Sequence, residues 1–445
     1  MFQESARQAA KSSKMDYYST NNKELRFGLK DALLKGLAPD KGLFMPTKIP
    51  VLSRKDLESF RDMDLTGIAL KLSEILFGED IPGADLERIV EDAINFDTPV
   101  VQVEKDLYAL ELFHGPTLAF KDVGARFLAR MLGYFTRDLD NEIHVLVATS
   151  GDTGSAVANG FLGVPGIKVH VLYPSGLVSP LQEKQFTTLG ENISALEVKG
   201  TFDDCQKLVK EAFMDPDLST QMTLTSANSI NLARFLPQAF YYFRAWGQME
   251  RSSKLFFSVP SGNYGNMTAG LVAREMGLPV QTFLSANNLN DVVPSYLSTG
   301  SFNPRPSTPT IANAMDVGDP SNFVRILDLF DHDHQSITSH MQGYSYSDQK
   351  IRQVISKVYK ETGYLCDPHG ATGYQAARTF IDSNPEYTGI FLETAHPAKF
   401  KESVEEVIGT PLEIPERLAA FANREKQAQI IKPSFEEFKS YLENL

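Results

Sequence analysis

The chain carries two cysteines in 445 residues. Cys205 and Cys366 stand far apart, with no metal-ligand spacing around them. A disulfide framework is therefore not expected, and a reducing, cytoplasmic setting is. No apolar run approaches the roughly 20 residues a membrane span needs, and no secretory signal is visible. Positive charge is in deficit: 43 Lys and Arg face 56 Asp and Glu, for a net charge of −13. That balance argues against partners such as nucleic acid or an anionic membrane. An anionic small molecule would need local positive groups, because the global field repels it. Internal repeats and low-complexity tracts are missing too. What remains is an ordinary soluble composition, with 42% hydrophobic and 22% charged residues. The length allows one large domain or two to three smaller ones, with ample chain for a desolvated site.

Residues 1–14 are polar and basic and read as an extension ahead of a second methionine, Met15. A transit peptide fits them less well, because the stretch is short and holds Glu4. Residues 15–100 read as a small mixed domain with helices over 29–36, 65–76 and 85–94. From residue 101 to 445 the rhythm becomes strand and helix in alternation. Apolar runs predict strands over 143–148, 167–173, 193–198, 255–259, 280–284 and 389–392. Between them fall helices over 179–189, 202–214, 230–249, 267–276 and 399–408, with Pro237 as a kink in the third. A short acidic amphipathic helix closes the chain over 435–445. The fold class is α/β with mainly parallel sheets.

One polar loop, Glu111-Leu-Phe-His-Gly-Pro-Thr-Leu-Ala-Phe-Lys-Asp122, ends in a lysine that opens an amphipathic run. Val123, Phe127, Leu128, Met131, Leu132 and Phe135 recur at helical spacing, so Lys121 sits at a helix N-terminus. The macrodipole there disfavours an ammonium, and the apolar neighbours Leu118 and Phe120 act the same way. A lysine kept partly neutral is a nucleophile and a base. The ordinary alternative is a surface lysine that starts a helix. Two Gly-containing loops, Thr149-Ser-Gly-Asp-Thr-Gly154 and Gly262-Asn-Tyr-Gly-Asn266, each join a strand to a helix. Such loops cradle anions with backbone N–H groups, or they are tight turns and nothing more. Neither matches a nucleotide P-loop or a dinucleotide fingerprint. Asp152 faces a ligand or caps the helix behind it. Thr394 follows a strand at the edge where α/β proteins bind ligands. Asn228 and Arg234, in Thr225-Ser-Ala-Asn-Ser-Ile-Asn-Leu-Ala-Arg234, could hold an anion or lie at the surface. Asp331-His-Asp-His334 reads as a solvated loop in preference to a metal site. Asp367-Pro-His-Gly-Ala-Thr-Gly373 reads as a turn-rich loop.

Four motifs in this order carry a resemblance: Phe113 to Asp122, Thr149 to Gly154, Val259-Pro-Ser-Gly-Asn-Tyr-Gly-Asn266 and Thr394-Ala-His-Pro-Ala-Lys-Phe400. Together they resemble the threonine synthases, pyridoxal-phosphate enzymes of the tryptophan-synthase-β fold type (fold type II). The match runs from about Asp16 to Ile408. The stretch Tyr17-Tyr-Ser-Thr-Asn and the Gly36-Leu-Ala-Pro-Asp-Lys-Gly-Leu-Phe44 loop resemble the family's extra N-terminal domain. The resemblance implies two mainly parallel α/β subdomains, with a smaller one of roughly residues 126–240 inserted in the larger. It implies that Lys121 holds pyridoxal 5'-phosphate covalently and moves the substrate's protons. Gly262, Asn263, Tyr264, Gly265 and Asn266 would cradle the cofactor phosphate, Thr394 would meet the pyridine nitrogen, and Asp152 would lie near the ring hydroxyl. The implied substrate is O-phospho-L-homoserine, with Thr149, Ser150, Thr153, Ser226, Asn228 and Arg234 as candidates for its phosphate. No metal site is implied, and the expected assembly is a monomer or homodimer. A serine/threonine ammonia-lyase is the alternative with the same cofactor.

Overall fold

A computed structural model describes residues 15–139, 141–251 and 253–445. The extension expected over residues 1–14 lies outside the described residues. Three sheets organise the rest. Tyr17–Ser19 pairs antiparallel with Asn22–Phe27 on one side and Phe44–Pro46 on the other. Helices Leu29–Lys35, Leu65–Phe77 and Gly83–Ala93 accompany this small sheet. Their buried faces join one continuous core with the larger sheets behind.

The six-stranded sheet runs, in spatial order, Met341–Ser345, Val280–Asn287, Lys254–Pro260, Tyr387–Glu393, Leu107–Glu111 and Val100–Glu104. All neighbours are parallel except the last pair. The five-stranded sheet runs Gln429–Ile431, Ile193–Val198, Ile167–Pro174, Ile143–Ala148 and Thr223–Ser226, all parallel. Residues 126–240 supply four of these strands. The fifth, Gln429–Ile431, returns from near the end of the chain. Helix Phe435–Glu443 follows it and covers the same sheet with Phe438 and Leu442.

The continuous apolar run of Ile143–Ala148 is buried at every position, as a central parallel strand requires. Two expectations need correction. The span 230–249 is not one kinked helix. It divides into Leu232–Phe235, a 3-10 turn Leu236–Gln238 and Ala239–Gln248, because Pro237 lacks the N–H that would continue the ladder. The stretch 367–373 is not a loop. Asp367 caps the helix Pro368–Ser383 by accepting from the His369 and Gly370 N–H groups, with Pro368 at the first helical position. In Asp331-His-Asp-His334, Asp331 and His332 turn the chain with positive φ, Asp333 caps helix His334–His340, and His334 meets the Tyr296 and Leu297 carbonyls.

Candidate active site

Helix Lys121–Thr136 starts at Lys121, and its first turn is fixed from both sides. Asp122 accepts from the Thr117 N–H at 2.8 Å and from the Thr117 hydroxyl at 2.6 Å, which folds the preceding loop back onto the helix. Upstream, the Phe120 N–H donates to the Thr394 carbonyl at 2.8 Å and the His396 N–H to the Leu118 carbonyl at 3.0 Å. Ala119 and Ala395 form an antiparallel bridge between them. This two-bond ladder sets Lys121 beside Thr394, although 273 positions separate them in sequence (394 less 121). Farther along the helix, a Cβ on Gly124 would lie 2.3 Å from the Arg234 carbonyl oxygen. Glycine there lets the segment carrying Arg234 press against the lysine helix.

Lys121 is half-buried, and its amine titrates near 8, below the usual 10.5. Burial is the main cause; the Arg234 and Lys399 cations push the same way, and the Asp152 carboxylate pulls it partly back. The lysine thus keeps a sizeable neutral fraction near pH 8.

Opposite it, the strand Lys254–Pro260 turns into helix Gly265–Glu275 through Tyr264, which takes the left-handed conformation at φ 61°. The side chains of this turn are committed to holding it. Asn263 Nδ2 donates to Ser229 Oγ at 2.7 Å, and Asn266 Nδ2 to the Pro260 carbonyl at 2.8 Å. The buried Tyr264 hydroxyl bonds to Ser285 and Asn287 at 2.6 and 2.9 Å. The first-turn amides have no partner inside the helix, so the backbone is what this loop offers an anion.

These groups enclose a cavity of about 900 Å³, part of it open to solvent. Lys121, Gly262, Asn263, Tyr264, Gly265, Asn266 and Thr394 line it, and so do Ser150, Thr153, Asn228 and Arg234. Arg234 is 3% exposed; Nη1 donates to the Ala227 carbonyl, while Nε has no partner. A buried guanidinium with an unpaired N–H, on a residue that lines the cavity, suits an anionic ligand nearby. Three expected residues do not line the cavity. Thr149 Oγ1 accepts from the Gly151 and Gly154 N–H groups at 2.9 and 2.7 Å and so shapes the loop. Ser226 Oγ accepts from the Asn228 N–H at 3.2 Å. Asp152 is the first residue of helix Asp152–Phe161, not its cap, and is paired with Lys399 Nζ at 2.6 Å and Gln182 Nε2 at 2.7 Å. Burial alone would raise its carboxyl; Lys399 and Lys121, with those hydrogen bonds, hold it well below the usual carboxylate range.

Sequence reasoning missed one wall, formed by residues 313–317 and His369. His369 Nδ1 donates to Asp367 Oδ1 at 2.5 Å, and its Nε2 accepts from the Ala314 N–H at 3.2 Å. The Asp-Pro pair that starts this helix was the available signal. Behind Thr394, burial and the neighbouring Asp367 push the Glu393 carboxyl well up, so it keeps its proton, while Asp367 stays ionised against His369. The acid next to Thr394 therefore brings no charge to the site.

Three family models match this chain: pyridoxal-phosphate dependent enzyme over residues 93–386, threonine synthase N terminus over 16–94, and threonine synthase C-terminal over 370–442. Threonine synthase of Escherichia coli K12 is 44% identical over 411 residues, 92% of this chain and 95% of that protein. The chain belongs to the threonine synthase family. Solved threonine synthases agree: the E. coli structure superposes with a TM-score of 0.91 at 42% identity, covering 97% of this chain and 100% of that one. A pyridoxal-phosphate-bound threonine synthase from Brucella melitensis gives 0.90 at 34%, covering 97% and 99%. As in the family, the fold is fold type II with an additional N-terminal domain, and the cofactor is pyridoxal phosphate. The chemistry is that of a lyase acting on a phosphate ester, and the ammonia-lyase alternative is not favoured.

The residues fit that cofactor on their own terms. One amine of lowered basicity can bind an aldehyde. Across the cavity, the helix start at Gly265 suits a phosphate, although the Met267 N–H is taken by Asn266 Oδ1 at 3.0 Å. Gly262 closes the turn so tightly that a Cβ would lie 2.7 Å from the Ala314 carbonyl oxygen.

Proposed function

We propose that this chain converts O-phospho-L-homoserine and water to L-threonine and phosphate. The observation that supports this reading best is that one cavity is lined by Lys121, by the Gly262–Asn266 turn and by the buried cation Arg234, which we take as a second anion site. A substrate carrying its own phosphate needs such a second site. When bound, pyridoxal phosphate supplies a conjugated system that takes up the electron pair left when a proton leaves the substrate's α carbon.

The chain's residues do the rest. We assign Lys121 Nζ to hold the cofactor and, once freed, to accept the proton from Cα and to move a second one at Cβ. Its lowered basicity suits both tasks. We assign the turn over 262–266 to the cofactor phosphate and the Thr394 hydroxyl to the pyridine nitrogen. A hydroxyl does not hold a ring nitrogen protonated as a carboxylate would, and Glu393 behind it is itself neutral. Arg234, Asn228, Ser150 and Thr153 are assigned to the substrate phosphate that leaves from Cγ, before water's hydroxyl is added at Cβ. Asp152, Thr149 and Ser226 support these groups from outside the cavity.

Residues 15–100 are proposed as a small N-terminal domain, sharing its core with the catalytic one, 101–445. A cytoplasmic monomer or homodimer is proposed with them; no described helix is long and apolar enough to cross a membrane. Sedimentation of the loaded protein decides the assembly. For the reaction, the test is phosphate release from O-phospho-L-homoserine together with threonine detected by mass. Phosphate without threonine, or neither product from loaded protein, would refute the reading.

A further inference from the structure

Lys399 lies five positions beyond Thr394, in the turn Pro397–Phe400. It is 1% exposed and does not line the cavity, so it is not a second cofactor lysine. Its Nζ donates to Asp152 Oδ1 at 2.6 Å and to the Thr117 carbonyl at 2.8 Å. Its own carbonyl accepts from Ser179 Oγ at 3.4 Å. Gln182 Nε2 completes the Asp152 shell at 2.7 Å, and Gln185 Nε2 reaches the same Thr117 carbonyl at 3.2 Å. Three segments therefore meet at one buried ammonium: the loop that carries Lys121, the segment that carries Thr394, and the first turn of the helix behind the Thr149–Gly154 loop.

A buried ion pair of this sort adds little stability over an apolar pair of the same volume. Its sense is electrostatic. Asp152 is a buried carboxylate whose field reaches Lys121. Left alone, it would recruit the Lys121 ammonium as its counter-ion and hold that lysine charged. Lys399 occupies that role instead. The charged groups bearing on Lys121 are Asp152, Arg234 and Lys399. Asp122, next in sequence, is turned to Thr117, and Glu393 on the neighbouring segment is neutral.

We propose that Lys399 is a positioning residue that neutralises Asp152 and so leaves Lys121 free to act as a neutral amine. The inference rests on Lys121 being the cofactor lysine. Removing an ion pair's cation exposes the partner to its next neighbour, and an opposite charge at close range shifts a titration by about one to three pH units.

The test is the pH dependence of Lys121 acetylation by acetic anhydride in the cofactor-free full-length chain, read by peptide mass. In the unaltered chain the midpoint is expected at about 8. Lys399→Met should raise it by about one unit, making Lys121 about tenfold less reactive at pH 7. Asp152→Asn should lower it, and the double variant should fall between the two. Opposite displacements are a signature that a merely structural pair would not give. A Lys399→Met chain that melts lower but keeps the midpoint overturns the proposal. Should that variant fail to fold, Asp152→Asn decides alone, and a midpoint that stays or rises overturns it. Borohydride reduction of the loaded chain with the adduct on another lysine would instead remove the assignment of Lys121. The acetylation midpoints would still report the charge arrangement.

Discussion

Replacing Lys121 with methionine should make the cofactor-free chain more stable. The ammonium titrates at 10.5 when free and at about 8 in the fold. At about 1.4 kcal/mol per pH unit, that gap amounts to roughly 3 kcal/mol, trimmed to about 2–3 kcal/mol because the side chain is only half-buried. The sign follows from proton binding. The folded chain holds this proton less tightly than the unfolded chain, so folding carries the full cost below pH 8. The cost shrinks as pH rises from 8 to 10.5 and is absent above that. Methionine keeps the length and the apolar contacts and removes the charge. Asp152 does not lose its partner, because Lys399 stays on it at 2.6 Å. Urea unfolding at pH 7 and at pH 10, for the two cofactor-free chains, measures the effect. The variant should lead by about 2–3 kcal/mol at pH 7 and by much less at pH 10. Equal stability at pH 7, or a lead that persists undiminished at pH 10, would refute the account of why this lysine is reactive.

Arg234→Met should lower kcat/KM for the phosphorylated substrate by about 10- to 100-fold, the worth of one charge-assisted hydrogen bond. Cofactor loading, read from the visible absorbance, should hardly change; equal losses in both would move Arg234 to the cofactor side of the cavity. Gly262→Ala puts a methyl 2.7 Å from the Ala314 oxygen and 2.9 Å from Met315 Cα, so it should lower both cofactor affinity and the melting point of the cofactor-free chain. Gly265→Val meets the Ser229 side chain at 3.3 Å, which can give way. It should weaken cofactor binding more than the cofactor-free fold, and a purely thermal effect would contradict a phosphate at that helix start. His170 is buried, bonded to His144 and Tyr441, and depressed to about 3 by burial first and then by His144 and Lys168. Its neutral form is required, so stability falls as pH drops from 6.5 towards 3. Between pH 7 and pH 5, unfolding of the unaltered chain should lose about 2 kcal/mol more than that of His170→Gln.

Much of the α/β framework was legible because its signals are local. Strands 143–148 and 193–198 and helix 202–214 appear where apolar runs and spacing put them, and the Thr201–Asp204 capping box fixes the last. The cavity-lining turn over 262–266 was legible too, since a strand, a Gly-containing loop and a helix stand in immediate succession. What failed was non-local. In helix Pro368–Ser383, Gly373 reads as a turn residue, yet a Cβ there would lie 3.2 Å from Pro260. Small size serves packing there, and sequence alone does not distinguish the two uses. Gln429–Ile431 is three residues long and has no period to detect. Lys399 and Asp152 sit 247 positions apart (399 less 152), and no spacing rule links them.

The strand at Gln429–Ile431 also fixes an order of events during synthesis. It forms one edge of the five-stranded sheet, and helix Phe435–Glu443 behind it joins the core of Leu146, Leu172 and Leu196 through Phe438 and Leu442. A ribosome makes the other four strands more than 200 residues earlier (429 less 226). While translation continues, that apolar face has helices 202–214 and 216–221 against it but lacks Phe438 and Leu442, and its edge beside Ile193–Val198 is unpaired. Ser150, in the loop after Ile143–Ala148, and Thr153, in the first turn of the helix that follows, stand at the end of this sheet, so their half of the cavity is completed only after Lys121 and the Gly262–Asn266 turn have long been made. Trimming about fifteen residues from the carboxyl end should therefore cost both solubility on emergence and the shape of a site far away in sequence.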